Sequence, residues 1–251
     1  LYYSDRLMEF PLGILGVALA TVILPRLSRR QAEDAPEAFS HTLDWGLRMT
    51  VLFGVPAAVG LLLLAGPMLA TLFESDVFDA YDVEMATRSL VAYSLGLQAF
   101  ILIKVLAPGF YARQDTRTPV RIGVIAMVVN MVLNLLLIWP LQHAGLALAT
   151  SLSSYLNAYL LWRGLRQSGA YRPDVGWGRL GIQVALAVAV MTGVVLLLAP
   201  ELAAWLAADR IDRVLWLTTA VVAGGLAYLG ALVVAGVRPS QLRGRPKVGA
   251  G

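Results

Sequence analysis

The sequence predicts an all-α polytopic membrane protein with seven transmembrane helices. Three observations carry this expectation. Hydrophobic residues make up 58% of the chain and charged residues 14%, against roughly 45–50% and about 25% in soluble domains. The mean hydropathy is +0.70. Apolar segments long enough to cross hydrocarbon as helices, roughly 17–25 residues, recur along the whole chain. A soluble fold cannot bury that much apolar surface.

The same composition narrows the function. There is no cysteine, so no disulfide framework and no thiolate metal site. The net charge of +4 is spread over short loops, where it reads as topology and not as a nucleic-acid surface. HExxH, Walker-type and GxSxG motifs are absent, as is any serine–histidine pair within the spans. Asp76, Asp79 and Asp82 come nearest to an aspartate-rich loop, but they fall on the outer side, where nucleotide sugars are absent. These features suit a transporter with no resident cofactor better than an enzyme.

The chain opens at Leu1, already inside a span-like segment, and reads as a fragment with further spans before it. The first span, residues 2–25, begins with Asp5, Arg6 and Glu9 and continues without charge to Pro25. At about 100° per residue, Tyr2, Asp5, Arg6, Glu9, Gly13, Gly16 and Ala20 share one stripe. Leu7, Phe10, Ile14, Leu15, Ala18 and Val22 fall elsewhere. Pro11 removes one backbone hydrogen bond and predicts a kink just after the charges. Residues 31–42 are polar and amphipathic and predict a short surface helix. The second span, 44–73, holds Pro56 and Gly66-Pro67. The third, 86–112, carries Lys104 and is expected to break at Pro108-Gly109, where a gating element would bend. The fourth and fifth spans are 119–139 and 144–167. Residues 1–168 thus form one five-span unit. Residues 169–237 form a second unit, a helix pair at 177–200 and 212–237, and 238–251 is a polar cytoplasmic tail.

Orientation follows from the loops. One alternating set of connections, with the tail, carries fourteen basic residues, from Arg26, Arg29 and Arg30 to Lys247; the other carries two, Arg210 and Arg213. The positive-inside rule places the first set and the C-terminus in the cytoplasm.

Charges inside spans are costly and point to function or to a pairing device. Asp5, Arg6 and Glu9 are spaced i, i+3 and i, i+4 and share a face. They read as a self-neutralising cluster at the membrane edge, or as a cavity-lining site where Arg6 holds a phosphate-like anion through its planar fork. Lys104 either snorkels to the cytoplasmic edge or faces a charged substrate. Arg88 and Arg48 lie near span ends and read as interface anchors, with Asp44–Arg48 as a local i, i+4 pair. Asn130 and Asn134, again i, i+4, read as interhelical hydrogen bonding or as a weak cation site, and Asn157 likewise. His41 and His143 are expected in loops, too far apart in sequence for a metal site.

Two stretches are long and specific: YYSDRLMEFPLGILGVALATVILP, residues 2–25, and KVLAPGFYARQDTRTPVR, residues 104–121. With Asp44-Trp45-Gly46-Leu47-Arg48 and Gln142-His143-Ala144-Gly145-Leu146, they resemble the MurJ (MviN) family of lipid II flippases, within the MOP exporter superfamily. The resemblance implies a two-lobed, fourteen-helix transporter in the bacterial cytoplasmic (inner) membrane, of which this chain would supply the second lobe and the extra C-terminal pair. It implies that the family's DRxxE motif falls at Asp5, Arg6 and Glu9 and lines the cavity; Lys104, by its mid-span charge, is added as a further candidate substrate contact. It implies lipid II as substrate, with membrane lipids and the missing N-terminal lobe as partners and no nucleic acid. A sodium site used by some members would fall at Asn130 and Asn134. The second of these is Asn here, and the helix-seven aspartate lies outside this chain. Sodium, chloride or the membrane potential would be the driver. Two alternatives stay open: a multidrug or oligosaccharide exporter of the same superfamily, and a non-transporting membrane scaffold for wall synthesis.

Overall fold

The computed structural model describes residues 2–74 and 79–237, and its elements are helices joined by short turns. Asp76 and the tail 238–251, with the basic residues counted there, lie outside the described residues. The helices are α1 (Tyr2–Pro11), a π-helical turn (Leu12–Val17), α2 (Ala18–Ala32), α3 (Pro36–Leu63), α4 (Ala65–Phe73), α5 (Ala80–Tyr111), α6 (Arg117–Gln167), α7 (Trp177–Leu198), α8 (Leu202–Ala207) and α9 (Arg210–Val234).

Six helices among the described residues are long and apolar enough to cross a membrane, where the sequence predicts seven spans. The difference lies in α6. At 1.5 Å per residue a straight helix of its 51 residues would reach about 76 Å, more than twice the ~30 Å hydrocarbon core. Gln142 adopts φ 50°, ψ −126°, and the chain turns back on itself there. Asn130 consequently lies within hydrogen-bond distance of Thr150 and Ser153, 20 and 23 residues further along. Gly145 makes the close return possible, because a Cβ there would sit 2.7 Å from the Leu137 carbonyl carbon.

Several expected boundaries are corrected. Pro25 does not end the first helix; α2 runs on to Ala32. A proline inside a helix removes only the bond to residue i−4, and the flanking turns carry the helix past it. Residues 31–42 are not a separate surface helix. They divide between the end of α2, a turn in which Asp34 takes φ 48°, and the start of α3, where Pro36 suits a first helical position. The second span, expected as one run, is interrupted at Leu64 between α3 and α4. Pro67 falls in the first turn of α4, where a missing N–H costs nothing. The third span does not break at Pro108-Gly109. Both residues are buried, α5 continues to Tyr111, and Ala112 N–H bonds back to the Pro108 carbonyl. Gly109 is used for packing, since a Cβ there would meet the Leu165 side chain at 3.1 Å. His41 lies in α3, not in a loop, whereas His143 follows directly on the Gln142 reversal.

The axis of the bundle is α5, which packs against α1, α2, α3, α4 and α6. One buried cluster, around Leu27, Leu43, Leu106 and Leu165, fills the end near the α2–α3 turn. A second, around Leu69, Leu90, Leu97 and Trp205, fills the other end. A third joins α3 to α7 and α9 through Leu52, Ala187, Ala220 and Tyr228. Close approach of α5 and α6 depends on small residues, as is common between membrane helices. A Cβ on Gly96 would lie 2.7 Å from Ser151 Cβ and 2.8 Å from its Cα, while Ser151 Oγ donates to the Ala92 carbonyl at 2.7 Å. Gly96→Val is therefore expected to destabilise the bundle by about 1–3 kcal/mol through overpacking. Thermal denaturation in detergent reads this, and an unchanged midpoint would contradict it.

Candidate functional site

The opening helix has two faces. Ser4, Leu7 and Met8, spaced i, i+3, i+4, are buried, and Ser4 Oγ donates to the Ala86 carbonyl of α5 at 2.8 Å. That contact turns Tyr2, Arg6, Glu9, Phe10, Gly13 and Val17 away from the bundle, where they stand partly or largely exposed. Arg6 Nη1 bonds Glu9 Oε2 at 3.0 Å, with the two side chains 58% and 52% exposed. The guanidinium also lies 5.2 Å from the Tyr2 ring centroid. Asp5 departs from the expected common face. It is half-buried, where Arg6 and Glu9 are exposed. The arrangement offers a guanidinium with donors to spare, one carboxylate beside it and one behind.

Directly below the charges the helix widens. Pro11 cannot donate to the Leu7 carbonyl, and the next six residues form the π-helical turn. The expected kink at Pro11 thus takes the form of a change in helical winding, which is frequent at functional sites. Lys104 does not join the Arg6 cluster. Its stem packs 3.4 Å from where a Gly16 Cβ would be, ten residues from Arg6 and so about 15 Å along the helix. Lys104 is exposed and makes no ion pair among the described residues.

Phe10 and Pro11 also begin an apolar groove. It runs past Pro56 and Gly60 of α3 to Gly225 and Tyr228 of α9, with a volume of about 310 Å³. Gly60 and Gly225 face open space, with nothing within 4 Å of where a Cβ would stand. The polar end of Tyr228 is turned out of the groove. Its hydroxyl donates at 2.5 Å to the Leu52 carbonyl, the group that Pro56, four residues on, leaves without a helical donor.

Asn130 and Asn134 lie together. Asn134 Nδ2 donates to Asn130 Oδ1 at 3.0 Å, and Asn130 Nδ2 reaches Thr150 Oγ1 at 3.4 Å and Ser153 Oγ at 3.3 Å. Asn134 Oδ1 is buried without a donor. An oxygen of this kind can take a hard cation. Among the described residues no cluster of three or more His, Asp or Glu could hold a metal ion. Arg88 pairs with Glu84 at 2.7 Å on the exposed surface, and Asp79 caps α5 by accepting from the N–H groups of Tyr81 and Asp82.

The Asp44–Arg48 pair is present at 2.6 Å, but it belongs to a larger assembly that sequence spacing does not reveal. Asp44 is 1% exposed and also accepts from Tyr171 Oη at 2.8 Å, Trp177 Nε1 at 2.8 Å and Asp174 N at 3.3 Å. Arg48 donates to the Val175 carbonyl at 2.9 Å and stacks on Trp177. Ser40 holds both the N–H and the carbonyl of Arg172, and His41 meets Asp174 at 2.7 Å. One face of α3 therefore grips the connection between α6 and α7. Burial and the neighbouring Asp44 carboxylate push the Tyr171 phenol well above its ordinary range, so it remains a donor. The local i, i+4 signal for Asp44–Arg48 was legible; its partners some 130 residues away were not.

Comparison with known proteins adds the following. The family model described as lipid II flippase MurJ matches residues 1–215. A Vibrio cholerae protein named "Probable lipid II flippase MurJ" is 50% identical over 243 residues, 97% of this chain and 46% of its own length. A Burkholderia cenocepacia protein named "Lipid II flippase MurJ" is 41% identical over 247 residues, 98% of this chain and 48% of its own. A solved structure titled "Lipid II flippase MurJ, inward closed conformation" matches the fold with a TM-score of 0.77 at 22% identity, over 92% of this chain and 45% of that one. The chain spans about half the length of the curated relatives it matches.

Proposed function

The chain belongs to the lipid II flippase MurJ family, and from that premise we propose that it is the second half of a flippase for an undecaprenyl-pyrophosphate-linked disaccharide-pentapeptide. No bond is made or broken. The headgroup crosses from the cytoplasmic to the outer leaflet of the bacterial inner membrane as two lobes rock around a shared cavity. The missing lobe supplies the facing wall. The C-terminus lies in the cytoplasm, and residues 169–237 form the extra helix pair.

One observation carries this reading: an exposed arginine paired with a half-exposed carboxylate stands one helical turn before Phe10, where an apolar groove begins. That pattern suits an anionic headgroup on a long hydrocarbon tail. Arg6 would take the pyrophosphate through charge-assisted hydrogen bonds. Glu9 orients the guanidinium, and Asp5 behind it limits the positive potential of the empty site. Lys104, exposed on α5 beside Gly16, would meet the headgroup at the other end of its path. Phe10 and Pro11 lead the tail into the groove, and the π-helical turn supplies a place for the helix to bend. A cation at Asn134 Oδ1, chloride, or the membrane potential would drive the cycle.

The test is lipid II translocation by the full-length protein in proteoliposomes. Transport of cationic drugs without lipid II would favour an exporter instead. Normal wall growth with Arg6 removed, lost only on deletion of the whole protein, would favour a scaffold. Residues 1–251 alone are expected not to translocate, because half the cavity is missing.

The tail assignment has its own check. Gly60→Leu adds a side chain into the groove at a position whose Cβ would meet no neighbour. It is expected to leave folding unchanged and to slow a full-length polyprenyl substrate roughly tenfold, the effect of losing about 1.4 kcal/mol of apolar contact. A short-tailed analogue should move at the wild-type rate. Equal slowing of both substrates would remove the groove from the pathway.

A further inference from the structure

We infer that Arg213 is a positioning residue that fixes the far wall of the groove by clasping the C-terminal helix pair to the lobe. It lies in the first turns of α9, and its side chain is 14% exposed. Nε donates to the Ala208 carbonyl at 2.9 Å and Nη2 to the Leu206 carbonyl at 2.7 Å. Nη1 donates to the Ala70 carbonyl at 3.3 Å and pairs with the Glu74 carboxylate.

The acceptors explain the geometry. Leu206 and Ala208 stand at the C-terminal end of α8, and Ala70 and Glu74 at the C-terminal end of α4. The last carbonyls of a helix have no donor of their own, and a positive charge is favourable beside them. One guanidinium at the start of α9 thus completes the ends of two other helices, which needs a planar fork with five N–H groups. Beside it, fully buried Trp205 donates to Thr71 Oγ1 at 2.9 Å and packs edge-on to Trp216 with centroids 5.6 Å apart.

The groove lies between this clasp and the Asp44 assembly. Its far wall is α7 and α9, and its near wall is α3 and α4. One end of the pair is held by Arg213 and the other by Asp44 through Trp177. Between them Tyr228 bonds the Leu52 carbonyl. The pair therefore moves with the lobe as one body, and the groove keeps its width while the lobes rock. The consequence for transport, though not the clasp itself, rests on the tail-binding reading above.

Spin labels on Leu95 of α5 and Val222 of α9, both exposed, test this in the full-length protein in phosphatidylethanolamine–phosphatidylglycerol nanodiscs. Pulsed dipolar spectroscopy should give one narrow distance, unmoved by lipid II. Arg213→Ala should add a second, longer distance, and Arg213→Lys should resemble it, because a point charge cannot reach both helix ends. Glu74→Gln, which keeps the side-chain shape, should broaden the distribution and serves if the arginine variants do not fold. A wild-type distance that splits when lipid II is added overturns the clasp, as does a narrow distance in the Arg213→Ala or Glu74→Gln protein. A shifted distance with unchanged lipid II translocation leaves the clasp standing and removes the groove from the pathway.

Discussion

Arg6→Ala in the full-length protein is expected to lower lipid II translocation by roughly 10- to 100-fold, since hydrogen bonds to a charged group are worth about 1.5–3 kcal/mol and each 1.4 kcal/mol is a factor of ten. The loss has two parts. The fork that would hold the pyrophosphate is gone, and the Glu9 carboxylate at 3.0 Å is left unopposed on the same face. With Asp5 behind it, the site becomes net negative and repels the anion it should bind. Arg6→Lys restores charge without the fork and should fall between the two. The Arg6 side chain is more than half exposed and supports no buried neighbour, so thermal stability should not change. Initial rates in proteoliposomes decide the matter, and equal rates for wild type and Arg6→Ala would end the role proposed for Arg6.

Asp44→Ala should act on stability instead. Asp44 is buried, and four donors converge on its carboxylate. Removing it strands the half-buried Arg48 guanidinium and leaves the Tyr171 hydroxyl and the Trp177 N–H without an acceptor. Breaking one side of a buried charged pair costs about 3–5 kcal/mol. The melting midpoint should drop, and the 171–177 connection should become accessible to protease. Asp44→Asn keeps an acceptor oxygen and should lose less. A protease-resistant Asp44→Ala protein with an unchanged midpoint would show that the connection is held by other contacts.

Much of the fold was legible because a membrane imposes a length and a polarity on each crossing. The long apolar stretches of α3, α5, α7 and α9 are visible for that reason. The errors fell on prolines and glycines. Pro25 and Pro108 pass through helices, because each proline forfeits at most one bond and helix packing outweighs it. The site was legible in part. Arg6 and Glu9 share an exposed face as helical periodicity requires, and Asp5 is half-buried at its edge because the Ser4–Ala86 contact sets which side of the helix meets α5. Lys104 sits about three turns away from the cluster it was grouped with, since nothing in the sequence fixes how far one helix slides along its neighbour.

By itself, then, the sequence determined that this is a bundle of membrane helices with intramembrane charge near its start, and which family its motifs resemble. Both are local properties: hydrophobic length, charge spacing and residue identity. The tertiary structure decided what those charges stand beside. It brought Phe10 and Pro11 to Gly60 and Tyr228 as one groove, gathered Tyr171, Asp174 and Trp177 around Asp44, and set Arg213 at the ends of α4 and α8. Those meetings depend on side-chain packing between helices far apart in sequence, and periodicity along one helix carries no record of which neighbour its faces will meet.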